Sequence, residues 1–381
     1  MPNEAAAIAY KAGWSDYAGK IDDAVANGNC GTGVTWDLAD GGALTISGTG
    51  AMYNYDDSDN KAPWFPYRAF ISSVTIDEGV TSIGEYAFYK LINSSLTTIS
   101  IPSTVTSIGI GAFEESSCFT SLTIPDNVLT LGRAVFCGCD NLETVHIGSG
   151  VTTLPELAFM NSDGLTHITI PNTVTSLSEG VFQQCFNLTT VIFENGSTIS
   201  TIPESAFYAC KALTSIAIPE SVTSIGMRAF MGCEALTSID IPEGVTSIGI
   251  MAFTGCAFSS IVLPASITEI GAVAFAQCPN LTSVTIWNTS APTLQKETEY
   301  FGDLGVFAMC DILSAIYVPT EDAKTAYEGA DAAKNWSDYS SLLQAMGNTL
   351  TTNEADGSYW ATYYNGHSNA DVDANTKVYT V

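Results

Sequence analysis

The chain has 381 residues, with 40 acids against 12 Lys and Arg and a formal net charge of −28. The charge is spread along the whole chain, at −5 over residues 1–70, −17 over 71–312 and −6 over 313–381, and such a surface repels phosphate backbones and anionic lipid, which excludes nucleic acid and a polybasic membrane contact. No apolar run reaches the roughly 18 residues of a bilayer span, so no direct membrane insertion is expected, and MPNEAAAIAY lacks the basic and apolar regions of a signal peptide.

Residues 1–27 carry few turn signals, and Ala5, Ala6, Ala7, Ile8 and Tyr10 make a helix-permissive stretch. We read them as an N-terminal extension, helical or disordered. Residues 28–70 change character. GVTWDL and ALTISGTGAM alternate apolar and polar residues around Asp40-Gly41-Gly42, which is a hairpin signal. Asp56-Asp57-Ser58-Asp59-Asn60 lacks the full ligand spacing of a calcium loop and is read as an acidic surface turn.

Residues 71–319 are repetitive. A Phe recurs at Phe88, Phe113, Phe136, Phe159, Phe182, Phe207, Phe230, Phe253 and Phe275, in steps of 22 to 25 residues, and Phe307 follows after a step of 32. A period near 23 means a solenoid of about ten to eleven turns, because one such unit cannot bury its own apolar face. In the unit beginning LTSIAIP, Leu213, Ile216 and Ile218 have the spacing of an inward-facing strand, and Pro219 ends it. VTSIG (Val222 to Gly226) is a second short extended piece, and Gly226 is expected to permit a tight turn. MRAFMGC is expected to send Ala229, Phe230 and Cys233 inward on one helical turn. Stacking about 4.8 Å apart then makes ladders of like residues. The expected fold is an α/β-to-mainly-β solenoid, a leucine-rich-repeat right-handed superhelix with the Phe residues as its spine and a β cap before it.

Cys139, Cys185, Cys210, Cys233, Cys256, Cys278 and Cys310 each lie three residues after a spine Phe. Stacked residues have parallel Cβ vectors, which suit disulfides poorly, so these seven are expected to form a column of buried free thiols. Cys30, Cys118 and Cys137 lie off the column, and one pair among them is left open.

The pattern IPxxVTSIGxxAFxxCxxLTSI, as it stands from Leu213 to Cys278, resembles the BspA-like class of bacterial leucine-rich-repeat surface proteins. NCGTGVTWDLADGGALTISGTGAM followed by APWFPYR (Ala62 to Arg68) is similar to the segment that precedes the repeats in that class. The resemblance implies an extracellular or cell-surface chain and an adhesive role, with the repeat as framework.

The outward strand positions are where such a framework would bind. One column runs through Ser73, Thr98, Ser121, Thr144, His167 and Thr190, and its neighbour through Thr75, Ser100, Thr123, His146, Thr169 and Ile192. Short hydroxyls dominate both; they suit hydrogen bonding to a partner and also suit a parallel sheet as such. We take Thr98, Thr123, Thr144, His146, His167, Thr169 and Thr190 as candidate ligand-binding residues. His146 and His167 stand on adjacent strands roughly 8 Å apart at Cα, with no third ligand nearby, so no metal is assigned. Units between Leu142 and Ala212 break pattern: Gly148 replaces the Pro, and Pro155, Ser178 and Pro203 replace the Gly.

From Trp287 to Val306 the unit lengthens, and we read it as a last turn remodelled for closure. Over 320–346, Thr320 with Glu321 and Asp322 starts a helix, and Asn335-Trp336-Ser337 is expected to start a second through Leu343, together a helical cap. Residues 347–381 read as the beginning of a separate β-rich module. That tail stops in mid-pattern, so the chain is taken as part of a longer secreted protein. Three histidines in all, with no GxSxG, HExxH or P-loop, leave no catalytic residue to assign and no cofactor. The expected function is a monomeric binding module for a protein or glycan. The alternatives are a passive spacer and, least supported, a polysaccharide-active enzyme.

Overall fold

A computed structural model describes residues 26–296, 304–330, 334–346, 350–352 and 359–361. Residues 1–25, and most of 347–381, lie outside the described residues, so the expected N-terminal extension and tail module do too. Ala26 and Asn27, included in that extension, belong to a strand.

The chain winds into a β-solenoid of about eleven turns of about 23 residues. Three short strands lead in: β1 (Ala26–Gly31), β2 (Val34–Leu38) and β3 (Ala43–Gly48). They pair antiparallel in that order, with the β2–β3 turn at residues 39–42, and β3 then pairs in parallel with Ser73–Ile76 of the first coil. From there most coils contribute one longer strand and one shorter one, stacking parallel on their counterparts. Inward positions such as Leu122, Ile168 and Ile216 are buried. The intervening Ser121, Thr123, His167, Thr169, Ser215 and Ala217 are exposed.

The Phe spine runs through the core. Successive rings from Phe88 to Phe307 lie 5.2–5.7 Å apart between centroids at 1–20°, an offset stack along the whole axis. The backbone around each Phe is not the helical turn expected. Arg228 and Gly232, two residues either side of Phe230, have φ of 55° and 75°. The N–H groups of Arg228, Phe230 and Gly232 reach Ile250, Ala252 and Thr254 of the next coil, while those of Ala229, Met231 and Cys233 close turns within their own. Every second N–H therefore points along the stack. A non-glycine residue in the left-handed region costs roughly 1–2 kcal/mol, offset by an inter-coil hydrogen bond that a helix would not make.

The column three residues on has a second job besides filling space. The Sγ–H of Cys139 donates to Phe113 O at 3.2 Å, Cys185 to Phe159 O at 3.0 Å and Cys233 to Phe207 O at 3.2 Å, and the other column cysteines follow the same rule. Ser116 and Ser162 occupy this position where Cys is missing, and their hydroxyls donate to Phe88 O and Phe136 O. All ten cysteines are free, so Cys30, Cys118 and Cys137 do not pair with one another.

Gly226 does not have a positive φ; a Cβ there would fall 2.7 Å from the backbone of the preceding coil at Pro203 and Glu204. The residue is needed for close approach rather than for turning. In regular coils the N–H at this position donates to the previous coil, as Gly226 does to Ile202 O and Gly249 to Ile225 O, both at 2.7 Å. Pro155 and Pro203 have no N–H to give. The second sheet is interrupted at these two steps, between Thr130–Leu131 and Thr153–Leu154 and between Ser176–Leu177 and Thr201–Ile202.

Each end of the stack is closed by a borrowed side chain. At the first coil, Trp64 stacks on Phe88 with centroids 5.9 Å apart, and its Nε1–H donates to Ala87 O at 2.7 Å. In the coils that follow, the equivalent carbonyl accepts the N–H of the previous spine Phe, as Ala112 O does from Phe88. At the last coil, Phe307 N–H donates to the Tyr339 hydroxyl at 3.2 Å, and Tyr339 sets its ring edge-on to Phe307. Helix α1 (Glu321–Glu328) is N-capped by Thr320, whose hydroxyl accepts from Ala323 N. The expected second helix is instead a 3₁₀ segment, Ser337–Leu342, after which Leu343–Ala345 adds a parallel strand to Ala315–Val318. Pairing with that open strand edge outweighs continuing the helix. Trp336 and Tyr327 are buried and donate to Pro292 O and Asn288 O, gripping the lengthened unit.

Candidate functional site

The strand face is continuous in direction but not in pairing. Ser121–Ile124 pairs in parallel with Thr144–Ile147, and His167–Ile170 with Thr190–Phe193, yet among the described residues no strand pairing joins Thr144–Ile147 to His167–Ile170. A groove of about 450 Å3 lies here, lined from both sides of the break. Gly148 stands where the flanking coils carry Pro125 and Pro171, so no ring fills the turn at its level.

Of the candidate binding residues, the structure brings Thr123, Thr144, His146, His167 and Thr169 into this groove. Thr98 lies in the coil before it, and Thr190 sits beside His167 in register without lining the groove. Five further polar residues line it that the column reading missed: Asp126, Ser149, Asn172, Thr173 and Glu194. They come from the turns that follow the strands. Aligning the coils at the strand-ending residue would have shown Asp126 and Ser149 one coil apart at equivalent positions.

The rim is held by hydrogen bonds between coils. Asp126 Oδ1 accepts from Ser149 N at 2.8 Å and from Ser149 Oγ at 3.0 Å. The backbone bond, then the hydroxyl bond, and last the nearby His146 hold its carboxyl below the usual range. Glu194 Oε2 accepts from Asn172 N at 3.1 Å, and Asn172 Nδ2 donates to Asn195 O at 3.1 Å. His167 Nδ1 lies 3.1 Å from Thr166 Oγ1, which leaves its Nε2 for a ligand. Among the described residues no group of three or more His, Cys, Asp or Glu is placed to hold a metal ion.

Geometry and pattern agree with what the sequence is similar to. The model of the BspA-type leucine-rich repeat region matches in six copies over residues 63–189 and 200–324, more than half of the chain. The chain belongs to the BspA-type leucine-rich repeat family. A leucine-rich repeat protein of Eubacterium ventriosum is 28% identical, over 78% of this chain and 79% of that one, with a TM-score of 0.54. One from Bacteroides ovatus is 25% identical, over 75% and 70%, with a TM-score of 0.56. A Faecalibacterium prausnitzii protein described as a leucine rich cell surface protein is 25% identical over 78% and 96%, with a TM-score of 0.40. No curated protein matches. The first two are described as leucine-rich repeat proteins, with no catalytic activity named. No described helix of this chain is long and apolar enough to cross a membrane.

Proposed function

We propose that this protein is a cell-surface or extracellular binding module that holds a protein or glycan against its strand face, with the groove at His146 and His167 as the contact centre. The observation that carries this reading is the break in strand pairing between Thr144–Ile147 and His167–Ile170. At that break a concave site on the hydroxyl-covered face is lined by imidazole, carboxylate, amide and hydroxyl groups. Membership of the BspA-type family supports surface display.

The test is an array of matrix proteins and glycans probed with the purified protein and with a Thr123→Arg/Thr169→Arg double variant. Loss of roughly tenfold or more in affinity for whatever ligand the array finds is expected, with no change in Tm. Ser238→Arg, on the same face but away from the groove, should bind normally. A passive spacer would show no ligand on the array, and equal binding by all three proteins would place the contact outside the groove.

A further inference from the structure

Three Asn-Gly pairs occur in the chain, Asn27-Gly28, Asn195-Gly196 and Asn365-Gly366, and the last lies outside the described residues. In such a pair the glycine nitrogen can close a five-membered ring on the asparagine side-chain carbonyl, because no Cβ crowds its approach. Whether the ring closes depends on how the backbone is held. Asn27-Gly28 lies within β1, in register with Asp37 and Trp36 of β2, which keeps it extended. Asn195-Gly196 lies in a turn that is longer than its neighbour: five residues separate Phe193 from Ile199, where three separate Ile170 from Val174 one coil earlier. Ser197 N–H donates to Glu194 O at 3.1 Å across this turn, and Gly196, with φ of 84°, takes the position that needs a left-handed residue. Glu194, Asn195 and Gly196 are all exposed. A Cβ at Gly196 would meet its nearest neighbour beyond the turn, Asn172 Nδ2, only at 4.0 Å. Among the described residues the Asn195 side-chain amide makes no hydrogen bond and the Gly196 N–H donates none, so both reacting groups are free. Asn195 O accepts from Asn172 Nδ2 at 3.1 Å, and Asn172 and Glu194 both line the groove.

We propose that Asn195 is a self-modification site, converting to aspartate and isoaspartate and so adding a carboxylate to the rim of the groove. Water or hydroxide takes the Gly196 N–H proton, and the nitrogen attacks Asn195 Cγ. The Cγ–Nδ2 bond breaks, and Nδ2 leaves as ammonia with the proton it gains. Water then opens the ring at either carbonyl. Attack at Cγ restores the original backbone and leaves an aspartate side chain. Attack at the main-chain carbonyl gives isoaspartate, with the chain rerouted through Cγ and the α-carboxylate left free. One water is consumed and one ammonia released, and nothing is oxidised or reduced. Either product carries one more negative charge than Asn195, beside Glu194 and within reach of the Asn172 amide.

The experiment incubates the full chain in warm, mildly alkaline buffer and follows each asparagine by peptide mapping that resolves aspartate from isoaspartate, with the free peptide Phe-Glu-Asn-Gly-Ser-Thr as the clock. Conversion at Asn195 is expected to run within about tenfold of the free peptide, and about tenfold or more faster than at Asn27 in the same molecules. In denaturant the two sites should converge, because the strand that protects Asn27 is then gone. Asn195→Gln should abolish the conversion at this turn, while Asn27→Gln should leave the Asn195 rate unchanged. The proposal is overturned if Asn195 in the folded chain is as slow as Asn27, or if the two sites stay equally far apart in denaturant. A product that is aspartate alone would also overturn it, since direct hydrolysis needs no ring and no Gly196.

Discussion

Phe207 O accepts the Sγ–H of Cys233 inside a fully buried column, and at two levels of that column a serine does the same work. A donor of small volume is therefore what the position requires. Cys233→Ala removes one of the two donors to Phe207 O and leaves it the N–H of Cys210, for an expected loss of about 1 kcal/mol, whereas Cys233→Ser should cost less. Urea unfolding of the two variants checks the order; equal losses would reduce the column to packing. Burial pushes the Cys185 thiol up to about 12, which keeps it protonated and able to donate. Glu114 shows the reverse strain. Burial, then the neighbouring charges of Glu115 and Asp57, raise its carboxyl above the ordinary value. A raised acid favours the protonated fold, so stability is greatest below the unfolded value near pH 4.3 and falls as pH rises through the folded one. Glu114→Gln should give a small rise in Tm at neutral pH that vanishes at about pH 4 and below. No such rise at neutral pH would mean that the carboxylate finds compensation where it sits.

Among elements, the strands were legible in the sequence and the turns were not. Alternation marks Leu213, Ile216 and Ile218 because a side chain either faces the core or does not. Nothing local marks Arg228 or Met251 as left-handed, since their conformation is held by bonds to a coil some 23 residues away. Pro155 and Pro203 were visible as departures from Gly, and the interrupted sheet follows from their missing N–H. The caps show the same logic at the ends, where the repeating donor or acceptor runs out and a side chain replaces it. Trp64→Phe keeps a ring on Phe88 and orphans Ala87 O, for an expected cost of about 1–3 kcal/mol. Tyr339→Phe removes the acceptor of the Phe307 N–H at the other end. Hydrogen exchange should quicken in the end coil nearest each substitution and stay unchanged at Phe182 in the middle, because coils contact only their neighbours. Uniform acceleration along the stack would contradict that account.

For the whole molecule, the charge of −28 works against compaction while the Phe and Ile ladders drive it. Exposed pairs such as Lys90–Glu115, Arg133–Glu156 and Lys211–Glu234 join adjacent coils at 2.9–3.0 Å. Pairs of that kind contribute about 0–1 kcal/mol each, less than general repulsion removes. Raising salt from about 0.01 M to 0.15 M shortens the screening length from about 30 Å to 8 Å, so Tm should rise over that range. A fall in Tm would show that the inter-coil pairs outweigh the net repulsion.

The repeat period, the inward residues and the identity of the spine were determined by sequence alone. Each depends on a residue's own chemistry recurring at a fixed step, and recurrence survives without coordinates. Thr123, Thr144, His146, His167 and Thr169 were recognisable as outward-facing for the same reason. Tertiary structure decided what they do together. The groove lies where two neighbouring strands do not pair, and its carboxylates, Asp126 and Glu194, arrive from turns in different coils. Register between coils, which the one-dimensional pattern leaves open at every irregular unit, is what places two acids and two imidazoles around one space.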